Sequence, residues 1–412
     1  MKKQKKEKVE VKELINEIKQ SPVYNMSLHN KELFHSNFWK WLMEIDSEFI
    51  KIFFKEIKNL NNDKNIILRE YEHTDLSLKI LNNKDKMEYD VYVIENKFQS
   101  LPNKEQLEKY TENIEFESNK KKGKIRTKDT FKEGYLISFI KPSFFYKNDS
   151  IEVGENKKKW TYISYIEIIK KIKIIMQKYK KKNSYYYGLI SDYTEMLENT
   201  IKIVKKELGY QSNNFEKGSK IAFKFDLDKE KNEKEPKEDN TIKYLIKKMR
   251  FMAFAEYIRK DVQGNNGWYI EKVAMSENSK GKAFLTINKV INEDKNKKVG
   301  IEIQSDGRYA YFRSIIKDKA NENEKFLNEL YRDEENKKWI ENGTKGKGNK
   351  EHKEYQCNVY STKKYDMIYK YKEIVTSPCK DSDKIYAKTF SDLKIKILSD
   401  IKIFEENTKV QK

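Results

Sequence analysis

The stretch that decides the fold is MEYDVYVIENKFQSLPNKEQLEKYTENI, residues 87 to 114. Its first part predicts a β-strand that is apolar on both faces, because Tyr92 and Val93 point to opposite sides and both are apolar. Such a strand belongs in the interior of a sheet that helices cover on both sides. The second part, with Pro102 near its start, predicts a helix. A buried strand followed directly by a helix favours an α/β fold.

The segments around this stretch extend the same pattern. IILREYEHTDLSLKIL, residues 66 to 81, predicts a strand or strand pair that precedes the buried strand. Earlier still, NKELFHSNFWKWL (30 to 42) predicts a helix with Phe34, Phe38 and Trp41 on one side, and the apolar pattern continues through FIKIFFKEI (49 to 57). Downstream, GYLISFI (134 to 140) predicts another buried strand, and WTYISYIEIIKKIKIIMQKY (160 to 179) predicts a long amphipathic helix. Strands alternating with helices in this order indicate an α/β domain.

The length of the chain, 412 residues, predicts two domains. DKEKNEKEPKEDN, residues 228 to 240, contains no apolar residue except proline and is the expected linker. We therefore predict a first domain at 1–227 and an α+β domain at 241–412, with alternating strand patterns and a helix near 391–405. The second domain could recognise a target, bind a regulator or partner protein, or mediate homodimer formation, and its residues do not decide among these roles.

Charge and composition limit the classes of function. The chain has 86 Lys and Arg against 66 Asp and Glu, a net charge of +20, which favours a polyanionic partner such as nucleic acid. Lysine is abundant along the whole chain, however, and such a composition also gives a lysine-coated surface without a ligand. Two Cys and four His are too few for a disulfide framework or a Cys-rich zinc site. With no run of 18 apolar residues and no signal-peptide core, we expect a soluble, cytoplasmic protein.

Three residues near the buried strand suggest phosphodiester chemistry. Hydrolysis of a phosphodiester needs carboxylates that hold a divalent metal, an activated water and a positive charge near the phosphoryl oxygens. Glu95 and Lys97 share one face of the strand, and Asp75 is expected on the neighbouring strand. The triplet ENK recurs at 155 to 157 and at 335 to 337, but only at 95 to 97 does it end a strongly apolar strand. The alternative is an exposed Glu–Lys pair of little energetic value where the strand enters solvent.

The following helix adds a second motif. Gln106 and Tyr110 are four residues apart and therefore lie on one helical face. The order D, ENK, QLEKY resembles the PD-(D/E)XK nuclease superfamily, in particular its RecB-like branch with a QxxxY helix. NKELFHSNFWKWL is similar to the N-terminal helix of bacterial members that carry an E-x-x-H-S pattern. The resemblance covers roughly residues 25 to 205.

The resemblance implies a fold, a cofactor and roles for named residues. The expected fold is a restriction-endonuclease-like core, a mixed central sheet flanked by helices. Mg²⁺, with Mn²⁺ able to replace it, would be held by Asp75, Glu95 and the backbone carbonyl of Asn96. Lys97 would orient or activate the attacking water. Glu32 matches a carboxylate of the first helix that completes the metal shell in several members, although it could instead complement the helix dipole.

Further roles and one departure follow from the same comparison. Gln106 and Tyr110 would support the metal ligands or contact phosphate. Thr74 stands where the superfamily name has proline, and the nearby acids Glu70, Glu72 and Asp90 could compete for the metal.

The implied activity is that of a Mg²⁺-dependent endonuclease acting on DNA, in bacterial defence or DNA processing. Two alternatives are open: a catalytically inactive nucleic-acid-binding or scaffold protein, and a nuclease that cleaves RNA.

Overall fold

The structure is a computed structural model of the whole chain. It describes most of the first half of the sequence and a smaller share of the second. The described residues are 13–26, 31–54, 57, 65–83, 88–98, 100–117, 128–208, 210–211, 214–215, 241–276, 282–292, 297–305, 307–316, 358–361, 365–375, 384–387 and 389–409.

The chain divides into two compact units, Met1–Asn213 and Asn214–Lys412. The linker predicted at 228 to 240 lies outside the described residues. Within the part of the chain that the structure describes, no helix has the length and apolar character needed to cross a membrane.

The first unit consists of helices arranged around one sheet. After a helical segment at 13–20, its helices are α1 Pro22–Met26, α2 Lys31–Ile45, α3 Ser47–Phe53, α4 Lys104–Glu117, α5 Tyr165–Met176, α6 Tyr179–Lys182 and α7 Ser184–Leu208. Its sheet strands are β1 Asn65–Arg69, β2 Leu76–Asn83, β3 Glu88–Lys97, β4 Lys128–Ser138, β5 Ser150–Val153 and β6 Lys158–Ser164. Two short strands, β7 Tyr210–Gln211 and β8 Asn214–Phe215, flank the division between the units.

The six strands form a mixed sheet in the order β1-β2-β3-β4-β6-β5. β3, β4 and β6 are parallel to one another, so their C-terminal ends lie at the same edge of the sheet, while β1, β2 and β5 pair antiparallel. Helix α4 packs on one face with the buried side chains of Val91, Val93 and Leu107. Helices α2 and α5 contact the sheet as well. The expected mixed sheet flanked by helices is therefore present, with β3 in its interior.

Two details differ from the sequence analysis. Residues 160 to 164 belong to strand β6, and the helix predicted from residue 160 begins only at Tyr165, where the Ser164 side chain accepts a hydrogen bond from the Glu167 backbone N–H. The apolar pattern of α2 also does not continue as one helix. It ends at Asp46, whose side chain caps α3 by accepting from the Glu48 N–H at 2.9 Å.

The described residues of the second unit form two long helices and a seven-stranded sheet. The helices are α8 Thr241–Gln263 and α9 Phe390–Lys409. The strands are β9 Trp268–Ser276, β10 Lys282–Asn292, β11 Lys297–Gln304, β12 Arg308–Ile316, β13 Asn358–Ser361, β14 Tyr365–Val375 and β15 Lys384–Tyr386. The order is β13-β14-β12-β11-β10-β9, antiparallel throughout, with β15 parallel to β14. Helix α8 packs on β9 and β10, and the Tyr309 hydroxyl in β12 donates to Asp400 Oδ2 in α9 at 2.7 Å.

Candidate metal and catalytic site

Asp75, Glu95 and Lys97 meet at one edge of the first sheet. Glu95 and Lys97 are at the C-terminal end of β3, and Asp75 directly precedes β2, whose first residue Leu76 pairs with Ile94. Asp75 is held in place by a hydrogen bond that its Oδ2 accepts from the backbone N–H of Asn96, at 2.7 Å. The antiparallel pairing of two neighbouring strands thus brings together the two carboxylates predicted from the sequence.

The side chain of Glu95 is held on one oxygen only. Lys97 Nζ lies 2.6 Å from Glu95 Oε1, the Tyr110 hydroxyl donates to the same oxygen at 3.1 Å, and Gln106 Nε2 donates to it at 3.3 Å. Gln106 and Tyr110 are also hydrogen bonded to each other. The other oxygen, Oε2, is buried and has no hydrogen-bond partner in the described part of the chain. A buried carboxylate oxygen without a partner is costly unless something else satisfies it.

Burial rules out the exposed ion pair considered above. Glu95 is 2% exposed and Lys97 is 9% exposed. Desolvation by burial and, after it, the nearby Asp75 carboxylate raise the pKa of Glu95 to about 8, and Lys97 and Tyr110 offset only part of this shift. Two acids beside one lysine leave the pocket with excess negative charge when both acids are ionised. The buried carboxyl group therefore favours either a proton or an added cation.

Tyr110 stays protonated and acts as a donor. Burial, followed by the neighbouring Glu95, raises the pKa of its hydroxyl above the ordinary value. Helix α4 carries both Gln106 and Tyr110 towards the carboxylate, as the spacing of four residues predicts. The two motifs, ENK and QLEKY, thus converge on Glu95 Oε1.

Asn96 makes one hydrogen bond through its side chain and another through its backbone. Its side chain points away from Glu95, as strand alternation predicts, and its Oδ1 accepts a hydrogen bond from the Tyr165 hydroxyl at 2.5 Å. Its backbone N–H bonds Asp75, as described above. Tyr165, at the start of α5, therefore fixes the strand end from the far face. Tyr165 was not predictable from the sequence, because its contact with Asn96 spans 69 positions.

Helix α2 contributes a buried histidine to the same edge. His35 is 1% exposed, its Nδ1 lies 2.9 Å from the Tyr193 hydroxyl, and its ring is 4.2 Å from that of Phe98, the residue after Lys97. Burial lowers the pKa of His35 to about 3, so the ring is neutral. Glu32 is in the first turn of α2, one turn before His35, and its side chain lies outside the described residues.

The acids named as competitors occupy other positions. Asp90 lies five residues before Glu95 on β3, so it points to the opposite face, where it pairs with Lys132 at 3.3 Å. Glu70 and Glu72 lie in the turn between β1 and β2, both with positive φ, of 51° and 48°. His73 in the same turn has a φ of 68°. Positive φ is costly for residues other than glycine, by about 1–2 kcal/mol each, and this turn ends at Asp75.

The described residues contain no group of three His, Cys, Asp or Glu side chains that could hold a metal ion. A divalent cation at this edge would therefore depend on fewer side chains and on other donors. Asp75 and Glu95 supply two carboxylates, and backbone carbonyls and waters commonly complete the shell of Mg²⁺. Glu95 Oε2, which has no hydrogen-bond partner among the described residues, is an oxygen that could bind such an ion. Asp75 is partly exposed, which leaves this side of the pair open to solvent.

Comparisons of the chain with models of protein families, with curated proteins and with solved structures found no match. The resemblance to the PD-(D/E)XK superfamily therefore stays a prediction drawn from the residues themselves.

Proposed function

We propose that the chain is a divalent-metal-dependent nuclease whose site consists of Asp75, Glu95 and Lys97. One observation carries the proposal: the buried Glu95 carboxylate stands beside a second carboxylate and a lysine. Three donors hold one of its oxygens, and the other has no hydrogen-bond partner in the described part of the chain. This is the set of groups that metal-assisted phosphodiester hydrolysis needs. The resemblance of the order D, ENK, QLEKY to the PD-(D/E)XK pattern supports the same reaction.

Asp75 and Glu95 are the residues that would hold the ion, with the backbone carbonyl of Asn96 as a further ligand and Glu32 as a candidate from α2. When bound, Mg²⁺ or Mn²⁺ supplies the acidified water and the positive charge that hydrolysis of a phosphodiester requires. The donors on Glu95 Oε1 keep this carboxylate in one orientation, with no described residue bonded to Oε2. Such preorganisation lowers the reorganisation that the site needs during reaction.

Lys97 is the catalytic cation. Its ammonium is fixed 2.6 Å from Glu95 Oε1, and its stem is buried, so the charge is held at the edge of the carboxylate pair. From there it can donate a hydrogen bond to the attacking water or to a phosphoryl oxygen. Loss of this donor is expected to slow the chemical step by about 10² to 10³-fold, the range found for single donors that stabilise developing negative charge.

The substrate class that we propose is DNA. The net charge of +20 supports a polyanionic substrate, because Lys and Arg side chains that neutralise phosphates release condensed counterions. Charge alone does not separate DNA from RNA, so both belong in the test. Bacterial defence or DNA processing is the setting that the resemblance implies.

The test is cleavage by the purified full chain of plasmid DNA, linear DNA and RNA, with Mg²⁺, with Mn²⁺ and with EDTA. Asp75→Ala and Lys97→Ala are compared with the wild type, and binding is measured in parallel. We expect metal-dependent cleavage of DNA that Asp75→Ala abolishes and Lys97→Ala slows by about 10²- to 10³-fold, while binding persists. Cleavage that either substitution leaves intact would locate the chemistry elsewhere. Cleavage of RNA alone would correct the substrate, and binding without cleavage of any substrate would favour a binding protein.

A further inference from the structure

The turn that presents Asp75 has an unusual backbone. It joins β1 to β2, and three of its residues, Glu70, Glu72 and His73, have φ between 48° and 68°. Residues with side chains seldom adopt this conformation, and they retain it only where surrounding contacts impose it. The turn is closed on Asp75 itself, whose backbone carbonyl accepts from the Glu70 N–H at 3.4 Å. The direction of the Asp75 carboxylate therefore depends on what holds this turn.

One side chain of the turn reaches a buried ion pair. The Tyr71 hydroxyl donates a hydrogen bond to Asp129 Oδ2 at the start of β4. The same oxygen accepts from Lys79 Nζ at 2.6 Å, and both Lys79 and Asp129 are buried, at 7% and 4% exposure. Asp129 pairs with Tyr89, six residues before Glu95 on β3, so the ion pair lies away from the carboxylate edge. The turn is thus tied to a point of the sheet outside the proposed site.

A second contact transmits this anchor to Asp75. The carbonyl oxygen of Tyr71 accepts hydrogen bonds from the Thr74 hydroxyl at 2.6 Å and from the Thr74 backbone N–H at 3.0 Å. The Thr74 hydroxyl is also 2.8 Å from that of Ser77 in β2, and Thr74 is 1% exposed. Tyr71 therefore holds Thr74, and Thr74 is the residue directly before Asp75.

The environment of Lys79 offers a matched control. Its ammonium lies between two tyrosine rings, 4.9 Å from the centroid of Tyr71 and 4.7 Å from that of Tyr89. Both rings contact the same buried ammonium group, but only Tyr71 belongs to the turn. Tyr89→Phe therefore controls for the loss of a tyrosine hydroxyl beside this cation outside the turn, whereas Tyr71→Phe also removes the bond from the turn to Asp129.

We propose that Tyr71 is a positioning residue: anchored on the Lys79–Asp129 ion pair, it holds the strained turn so that Asp75 faces Glu95. The inference rests on the proposed function, because it assigns to Tyr71 a role in the affinity of the Asp75–Glu95 pair for a divalent ion. Partners that orient metal ligands typically change metal affinity by 10- to 100-fold when removed. Tyr71 acts on Asp75 indirectly, through Thr74 and the backbone. We therefore expect a change in metal affinity near the lower end of this range.

The experiment measures Mn²⁺ and Mg²⁺ binding to the full chain by calorimetry, in wild type, Tyr71→Phe, Tyr89→Phe and Asp75→Ala. We expect Asp75→Ala to lose binding, Tyr71→Phe to bind about tenfold more weakly, and Tyr89→Phe to match the wild type. In cleavage assays Tyr71→Phe should need more metal and reach a kcat near that of wild type at saturation, because the ligands themselves are intact. This split distinguishes a positioning role from a loss of folded protein.

A second pair of variants covers the case in which Tyr71→Phe does not fold. Thr74→Ser keeps the hydroxyl that bonds the Tyr71 carbonyl, whereas Thr74→Val removes it at similar volume. We expect wild-type metal affinity in Thr74→Ser and reduced affinity in Thr74→Val.

Two results would overturn the inference alone, with the proposed site intact: unchanged metal affinity in both Tyr71→Phe and Thr74→Val, or equal losses in Tyr71→Phe and Tyr89→Phe. Absence of metal binding by the wild type would overturn the proposed function and this inference with it.

Discussion

The raised pKa of Glu95 predicts how the stability of the metal-free protein depends on pH. The pKa lies at about 8 in the folded protein against an ordinary value of 4.5. Between these values the folded state binds more protons than the unfolded state, so the free energy of unfolding falls as pH rises. The stability associated with the neutral carboxyl is fully present below pH 4.5 and is lost as pH approaches 8. Each pKa unit corresponds to 1.36 kcal/mol, so the loss from pH 5 to pH 9 is about 4 kcal/mol.

Glu95→Gln isolates this contribution. The amide keeps the shape of the side chain and an oxygen that can accept from Lys97 and Tyr110, but it does not ionise. Urea unfolding of both proteins in EDTA from pH 5 to pH 9 gives the difference in the free energy of unfolding, in which other titrating groups largely cancel. We expect the variant to gain about 4 kcal/mol relative to wild type across this range.

Added Mg²⁺ should change the difference in the free energy of unfolding between the wild type and Glu95→Gln at high pH. An ion that binds only the folded state stabilises it, and ionised Glu95 is the form that binds. At pH 9 the wild type should therefore be stabilised by Mg²⁺ while Glu95→Gln is not. In EDTA, a difference in the free energy of unfolding between wild type and Glu95→Gln that stays constant from pH 5 to pH 9 would refute the assignment of a buried, proton-binding carboxyl to this position.

Three further predictions concern packing, the helix motif and the buried histidine. Gly134→Ala should destabilise the protein by about 1–3 kcal/mol in urea unfolding, because its Cβ would lie 2.3 Å from the Trp160 ring; Gly188→Ala, with nothing within 4 Å, should not. Tyr110→Phe should weaken metal-dependent cleavage by about tenfold or more through loss of a donor to the buried carboxylate, with near-normal circular dichroism; an unchanged rate would contradict that role. His35, whose pKa burial lowers to about 3, should show no NMR titration between pH 5 and 8, and a midpoint near 6.5 would contradict its burial.

The sequence was most informative where hydrophobic pattern alone determines structure. Strand β3 was predicted as an interior strand because both of its faces are apolar, and it lies between β2 and β4. Residues 160 to 164 were wrongly predicted as helix, since Trp160 and Ile163 have the three-residue spacing of one helical face, whereas in β6 both are buried on opposite faces of the strand. Ser164 was the available signal, because serine before an apolar run is a frequent N-cap.

The contacts of the candidate site also divide into those that the sequence predicts and those that it does not. The proximity of Asp75 to Glu95 followed from neighbouring strands, and the contact of Tyr110 with Glu95 followed from helical spacing. Contacts of Tyr165 with Asn96 and of Tyr71 with Asp129 were not predictable, because they join segments 69 and 58 positions apart through tertiary packing. The lack of a described hydrogen-bond partner for Glu95 Oε2 was also not predictable, because it depends on how every neighbouring side chain is placed.

Anomalous diffraction from crystals grown with Mn²⁺ would locate the proposed ion directly. We expect a single strong peak at the C-terminal edge of β3, about 2 Å from carboxylate oxygens of both Asp75 and Glu95. Glu95 Oε2, the oxygen without a hydrogen-bond partner, should be one of the ligands. An Mn²⁺ ion bound at other residues, with these two carboxylates left uncoordinated, would contradict the proposed site.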